Sequence, residues 1–140
     1  MTRMTTAEKQ QFLAGLHVGV VAIPEPGRGP LCVPVWYDYR PGGDLWFITG
    51  PDSRKGRLLS QGLRISLCAQ TETAPYCYVS VEGPIVALDA EAGELLPMAV
   101  RYLGPDLGAE YARGSASADD LVVRVRPERW LAVDYGKQRR

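Results

Sequence analysis

The sequence has one histidine, His17, and three cysteines, Cys32, Cys68 and Cys77, none in Cys-x-x-Cys spacing. An odd cysteine number without metal-ligand spacing excludes a disulfide framework and a zinc cluster, and cysteines inside apolar, strand-like runs are expected to be buried free thiols. Net charge is also missing, since 16 basic and 16 acidic residues cancel. That removes the broad positive field of a protein that clings to nucleic acid or to an anionic membrane. No apolar run is long enough for a membrane span, and the first nine residues lack the apolar stretch of a secretory signal, which places the protein in the cytoplasm. Missing, too, are a Ser-His-Asp arrangement, paired carboxylates at helical spacing, internal repeats and low-complexity tracts.

What is present is a turn-rich chain of 140 residues with 15 glycines and 11 prolines, the size of one domain spanning residues 1–140. Lysine supplies 3 of the 16 basic residues and arginine 13, a bias that, with abundant Ala, Gly and Pro, suggests a GC-rich genome. Thr6 to Leu16 reads as a short helix. Strands are expected at 17–23, 31–39, 45–50, 64–70, 76–88, 121–126 and 130–133, from β-branched and aromatic runs bounded by Gly and Pro turns. The first three follow one another as a meander, and the fourth and fifth pair as a hairpin with Pro84 marking a bulge or an edge. Residues 91–113 are helical in pattern, broken at Gly104-Pro105 into two helices, and 114–120 is a polar loop. Six or seven antiparallel strands with only short helices predict a mainly β fold, a small barrel that closes its sheet to remove edges. The short turns exclude a parallel βαβ crossover.

The segment Ser53-Arg54-Lys55-Gly56-Arg57-Leu58-Leu59 sets three cations in four residues where a strand hands over to a helix. With Asp52 or Ser53 as N-cap, free backbone N–H groups and the side chains would grip a phosphate from two directions. Helical spacing puts Arg54 over Leu58 and Lys55 over Leu59, on or beside the buried stripe, and Arg57 over Gln61 on the wetter side. A capped surface helix with snorkelling cations is the competing account. In the second strand Leu31, Val33, Val35, Tyr37 and Tyr39 share one face, and Cys32, Pro34, Trp36 and Asp38 the other. Pro34 removes a ladder donor, so that the neighbouring backbone can turn toward a ligand, with an edge strand carrying a bulge as the competing account.

Together with Val33-Pro34-Val35-Trp36, Leu45-Trp46-Phe47-Ile48-Thr49 and Tyr78-Val79-Ser80-Val81-Glu82-Gly83, this segment resembles the split-barrel flavin and deazaflavin family related to pyridoxamine 5′-phosphate oxidase. The likeness runs from about Phe12 to Leu88, more loosely from Leu121 to Asp134. It implies a homodimer with two cofactor sites at the subunit interface, each built from strands two and three and the basic segment of one subunit plus residues of the other. Pro34, Val35 and Trp36 would then line the ring system, Phe47, Ile48 and Thr49 the ring edge and ribityl chain, and Ser53, Arg54, Lys55 and Arg57 the phosphate. Tyr76 or Tyr78 would come from the partner.

Ser53-Arg54-Lys55 matches the FMN-binding branch, and Lys55-Gly56-Arg57 matches the branch that uses the deazaflavin coenzyme F-420. Tyr78 stands where the vitamin oxidase has a glutamine, and Trp130 is followed by Leu131-Ala132-Val133 without its substrate-binding arginines, which argues against that activity. The resemblance implies an oxidoreductase passing hydride from coenzyme F-420, or alternatively FMN, to a conjugated or heteroaromatic small molecule. Tyr76, Tyr78 and, after them, His17 are candidate proton donors, although such residues are more often packing or hydrogen-bonded strand residues than catalysts. Sequestration of a flavin or haem-like molecule without catalysis is the third reading.

Overall fold

A computed structural model describes residues 1–115 and 117–139. Helix α1, Thr6–Ala14, is opened by a capping box: the Thr5 hydroxyl accepts from the Glu8 N–H, and the Glu8 carboxylate accepts from the Thr5 N–H. It ends two residues before the expected Leu16, at Gly15. The strands are β1 (Val18–Ile23), β2 (Leu31–Trp36), β3 (Asp38–Tyr39), β4 (Leu45–Thr49), β5 (Arg64–Gln70), β6 (Cys77–Ala90), β7 (Leu121–Val125) and β8 (Arg129–Asp134). Helix α2 (Arg54–Leu58) follows β4, and α3 (Leu95–Leu103) and α4 (Pro105–Ser115) lie between β6 and β7. Residues Tyr135–Arg139 form a 3-10 turn. Ala116, in the loop expected over 114–120, and Arg140, in the basic tail, lie outside the described residues.

The fold is mainly β and antiparallel, with strand order β2-β1-β5-β6-β7-β4-β3 and β8 paired to β6. Among the described residues eight strands replace the expected seven, because the second divides at Tyr37. Its first part pairs with β1, whereas Asp38 and Tyr39 turn away to pair with β4. The meander therefore passes from one half of the barrel to the other inside a single expected strand, and the two ends of the sheet, β2 and β3, are joined only through Tyr37. The long β6 does the same on the far side, pairing β5 and β8 with its first half and β7 with its second. The switch falls at Gly83, where a Cβ would sit 1.7 Å from the Arg126 carbonyl oxygen, so only glycine lets the two backbones cross. The ladder to β7 slips between Ile85 and Ala87, just past the Pro84 at which the sequence places a bulge.

Alternation along each strand fills the interior. Val21, Ile23, Phe47, Val79 and Val123 are fully enclosed, and Leu13 of α1 joins the same cluster. Tyr37 is also fully buried, its hydroxyl donating to the Leu13 carbonyl at 2.7 Å, which pins α1 to the barrel. Burial holds that phenol far above its ordinary pKa, so it remains a neutral donor. The thiols depart from the expectation of burial: Cys32 is exposed, and Cys68 and Cys77 are half-buried. Cys32 and Cys68 fall on outward positions of β2 and β5, and an apolar run does not by itself say which face is covered.

Candidate functional site

Beside the break at Tyr37 the chain leaves an open cleft of about 490 Å³. Its floor is Val18, Pro34, Val35 and Trp36, and its far side Ile48, Thr49, Gly50 and Lys55. Leu95, Met98, Tyr111 and Ser115 of the α3–α4 pair form a wall, and Asp120 closes one corner. Strand β2 terminates the sheet's hydrogen-bonded path, so alternate backbone groups along it, apart from the N–H that Pro34 lacks, have no ladder partner among the described residues. A polar ring edge could pair with them.

The cation at this cleft is Lys55. Ser53 caps α2, its hydroxyl accepting from the Gly56 N–H and donating to the Gly50 carbonyl, both at 2.9 Å. A Cβ on Gly56 would lie 2.0 Å from that carbonyl oxygen, so α2 seats directly against the end of β4 only because residue 56 has no side chain. This seating delivers Lys55 into the cleft, where Nζ donates to the Thr49 hydroxyl at 2.6 Å. Its two other N–H bonds have no partner among the described residues, and burial lowers its pKa. A half-buried ammonium with unused donors is an anion receptor.

The neighbouring cations are placed otherwise. Arg54 is exposed and ion-paired to Glu25 at 2.7 Å, and Arg57 is exposed, its side chain without an ion pair or hydrogen bond among the described residues. The helix ends at Leu58, too short for a stripe that would draw all three side chains to one side. One cation of the three faces the cleft, which corrects the reading of a three-pronged phosphate clamp.

Pro34, Val35, Trp36, Ile48, Thr49 and Lys55 are thus gathered at the cleft, with Ser53 behind Thr49, 3.3 Å between their hydroxyl oxygens. Phe47 is not on it. Alternation along β4 turns its side chain into the core, leaving it no exposed surface. Trp36 lines the cleft, but its ring is already stacked by Tyr102 at 5.1 Å and 8° and flanked by Tyr111 at 5.1 Å and 52°. Tyr76 and Tyr78 do not reach the cleft of their own chain. The register runs Trp36 to Val18 and on through β5 to Tyr78, three strand spacings or about 14 Å away. His17 is a packing residue: its ring stacks on Phe12 at 4.3 Å and donates from Nε2 to the Phe12 carbonyl at 3.0 Å, and burial lowers its pKa.

The α3–α4 wall was the part of the site hidden in the sequence. Two adjacent residues dock it. The Tyr102 hydroxyl donates to the His17 carbonyl at 2.5 Å and accepts from the Tyr37 N–H at 3.0 Å, while Arg101 donates to the carbonyls of Tyr37, Ala14 and Gly15. The backbone groups orphaned where β2 leaves the ladder, and the open C-terminus of α1, are thereby satisfied from α3. A Cβ on Gly108 would meet the Val100 backbone at 2.6 Å, so α4 lies tight on α3. The only sequence signal for this wall is the apolar spacing Leu95, Met98, Ala99, which marks a covered face without naming what it covers.

Among solved structures the chain is similar to an F-420 reductase, at 20% identity over 87% of this chain and 94% of that one, TM-score 0.70. It is similar as well to a conserved hypothetical protein from Mycobacterium tuberculosis (23% identity, 99% and 90% covered, TM-score 0.77). A FAD-binding protein from Mesorhizobium loti also shares the fold (17% identity, 96% and 98% covered, TM-score 0.65). No curated protein matches the chain by sequence. The model of the pyridoxamine 5′-phosphate oxidase family matches residues 5–134, and with the split sheet and the cleft beside Lys55 this makes the chain a member of the pyridoxamine 5′-phosphate oxidase family of flavin-binding oxidoreductases.

Proposed function

We propose that the protein is an oxidoreductase that binds coenzyme F-420 in the cleft and passes its hydride to a conjugated or heteroaromatic small molecule. The observation that carries this reading is the half-buried Lys55 ammonium, with two unused N–H bonds, at the end of a cleft floored by an unpaired strand edge. The F-420 reductase of the same fold supports it. The coenzyme supplies the redox chemistry, which the protein's own side chains lack. The chain's part is positional: Lys55 holds the phosphate, β2 offers amides to the ring edge, and Leu95 and Met98 exclude water from one side. One charge-assisted contact contributes about 1.5 to 3 kcal/mol, well short of the ~8 kcal/mol of a micromolar complex. Ring burial must supply the remainder.

Burial of that order calls for a second subunit. The outward face of β2, β1, β5, β6 and β8 carries two successive cross-strand rows without a charge: Trp36, Val18, Gln70, Tyr78 and Val133, then Pro34, Val20, Cys68, Ser80 and Leu131. Val18, Val20 and Leu131 are 52%, 42% and 58% exposed there. An uncharged face continuous with the cleft suits a twofold contact between copies, in which each supplies Tyr78 to the other's Trp36 edge. Val20→Arg should convert a dimer to a monomer in sedimentation and weaken cofactor binding together with it.

FMN is the second reading, favoured by the FAD-binding relative and by the Thr49 and Ser53 hydroxyls beside Lys55. Titration with each cofactor, followed by anaerobic mixing of the reduced form with candidate acceptors, tests both. Oxidation of bound reduced F-420 by an acceptor is the expected result, and failure of both cofactors to bind would sink the proposal.

A further inference from the structure

Among the described residues, the charges that line the cleft are Lys55 and Asp120, one of each sign. Asp120 stands immediately before β7, its N–H donating to the Ser117 carbonyl at 3.2 Å and its carbonyl accepting from Glu91 at 2.9 Å, so its backbone is held on both sides. One carboxylate oxygen, Oδ2, accepts from the Ser117 N–H at 3.3 Å. The other, Oδ1, lies 3.8 Å from where a Cβ on Gly50 would be. Gly50 separates Thr49, the partner of Lys55, from the α2 segment, so the carboxylate overlooks the corner that the ammonium serves. A corner built only to grip a phosphate dianion would not hold a carboxylate there. The nearest additional cations in sequence are spent or turned away, Arg54 on Glu25 and Arg57 into solvent.

Resting on the flavin-type reading above, we infer that Asp120 selects the cofactor by the charge of its phosphate, admitting a phosphodiester and disfavouring a terminal monoester. A phosphodiester carries one negative charge, which Lys55 balances. A monoester carries close to two at neutral pH, because its second proton leaves near pH 6. The surplus charge then meets Asp120 on the lining of the same cleft, and like charges brought together there repel. FMN ends in a monoester, whereas the phosphate of coenzyme F-420 is a diester. Leu95, Met98 and Trp36 are indifferent to this distinction, so the choice between otherwise similar ring systems falls to one side chain.

The test is fluorescence titration of wild type, Asp120→Asn and Asp120→Ser with FMN, riboflavin and coenzyme F-420 at pH 7.5 and 5.5. Riboflavin carries the ring and ribityl chain without phosphate. Asp120→Asn keeps a carbonyl oxygen for the Ser117 N–H, and Asp120→Ser keeps a smaller acceptor should that variant fold poorly. At pH 7.5 both should bind FMN about tenfold more tightly than wild type, F-420 by a smaller factor, and riboflavin within about twofold. At pH 5.5, with the phosphate singly charged, the FMN gain should shrink toward that for F-420. Equal gains for FMN and riboflavin, or none for either, would overturn the assignment while leaving the cofactor reading intact. Binding of none of the three by any of the proteins would overturn both.

Discussion

Two groups of tyrosines divide the outer surface of this protein, and they are held in opposite ways. Tyr102 is fixed at three points, by its stack on Trp36 and by hydrogen bonds to the backbone of His17 and Tyr37, and Tyr111 rests against the same indole. Tyr76 and Tyr78 have much looser company: Tyr76 is 53% exposed, and Tyr78 meets Tyr135 only at 6.5 Å. The first group builds a wall that is complete within one chain. The second lies on an uncharged sheet face still open to a partner. The difference teaches that the cleft is preorganised on its helical side, whereas on its sheet side the proposed twofold contact would have to complete it, coupling binding to assembly.

The strongest way to break that contrast is to unseat α2. Gly56→Ala places a methyl group 2.0 Å from the Gly50 carbonyl oxygen, and the forced shift should cost about 1 to 3 kcal/mol in urea unfolding and remove Lys55 from the cleft. Loss of cofactor binding with unchanged stability would contradict it. Lys55→Ala isolates the charge itself: affinity for cofactor should fall by roughly 10- to 150-fold, the equivalent of one charge-assisted hydrogen bond, with unfolding nearly unchanged. Arg57→Ala alone should leave affinity within about twofold. An equal loss in the two variants would restore the clamp of several cations.

Tyr102→Phe sharpens the comparison. Its ring can still stack on Trp36, but the carbonyl of His17 and the N–H of Tyr37 lose their partner, so stability should drop by about 1 to 3 kcal/mol. Tyr78→Phe should change monomer stability by less than about 0.5 kcal/mol. Guanidinium melts of the pair decide between pinned and free.

The smallest effect concerns pH. Burial lowers the pKa of His17 below that of the unfolded chain, so its neutral form is favoured by folding. The associated stability is fully present above about pH 6.5 and is lost as pH falls below that value and the unfolded chain takes up the proton first. The thermal midpoint of wild type should therefore decline more between pH 7.5 and 5.5 than that of His17→Gln, which retains an N–H for Phe12.

Strand positions were legible because alternation is local: Val21 and Ile23 face inward whichever strand lies beside them. The split at Tyr37 was not, since Leu31 to Tyr39 alternates without interruption, and the break is stabilised by Arg101 and Tyr102, some 65 residues downstream. Half of the cleft followed from recognisable segments, Pro34 to Trp36, Ile48, Thr49 and Lys55. Phe47 was misplaced by treating a whole strand as lining, although period two sends alternate residues to the core. Leu95, Met98, Tyr111 and Asp120 carry no motif, and only packing brings them to β2.

By itself the sequence determined the class of fold, the turns, the capped entry of α2 and the concentration of positive charge there, all set by interactions within a few residues. The tertiary structure alone decided which cation faces the cleft, because that depends on Glu25 capturing Arg54 across 29 residues and on Gly56 lying against Gly50. It likewise decided that Trp36 meets tyrosines of a distant helix pair. Such choices rest on desolvation and contact between surfaces that adjoin only once the barrel has curled.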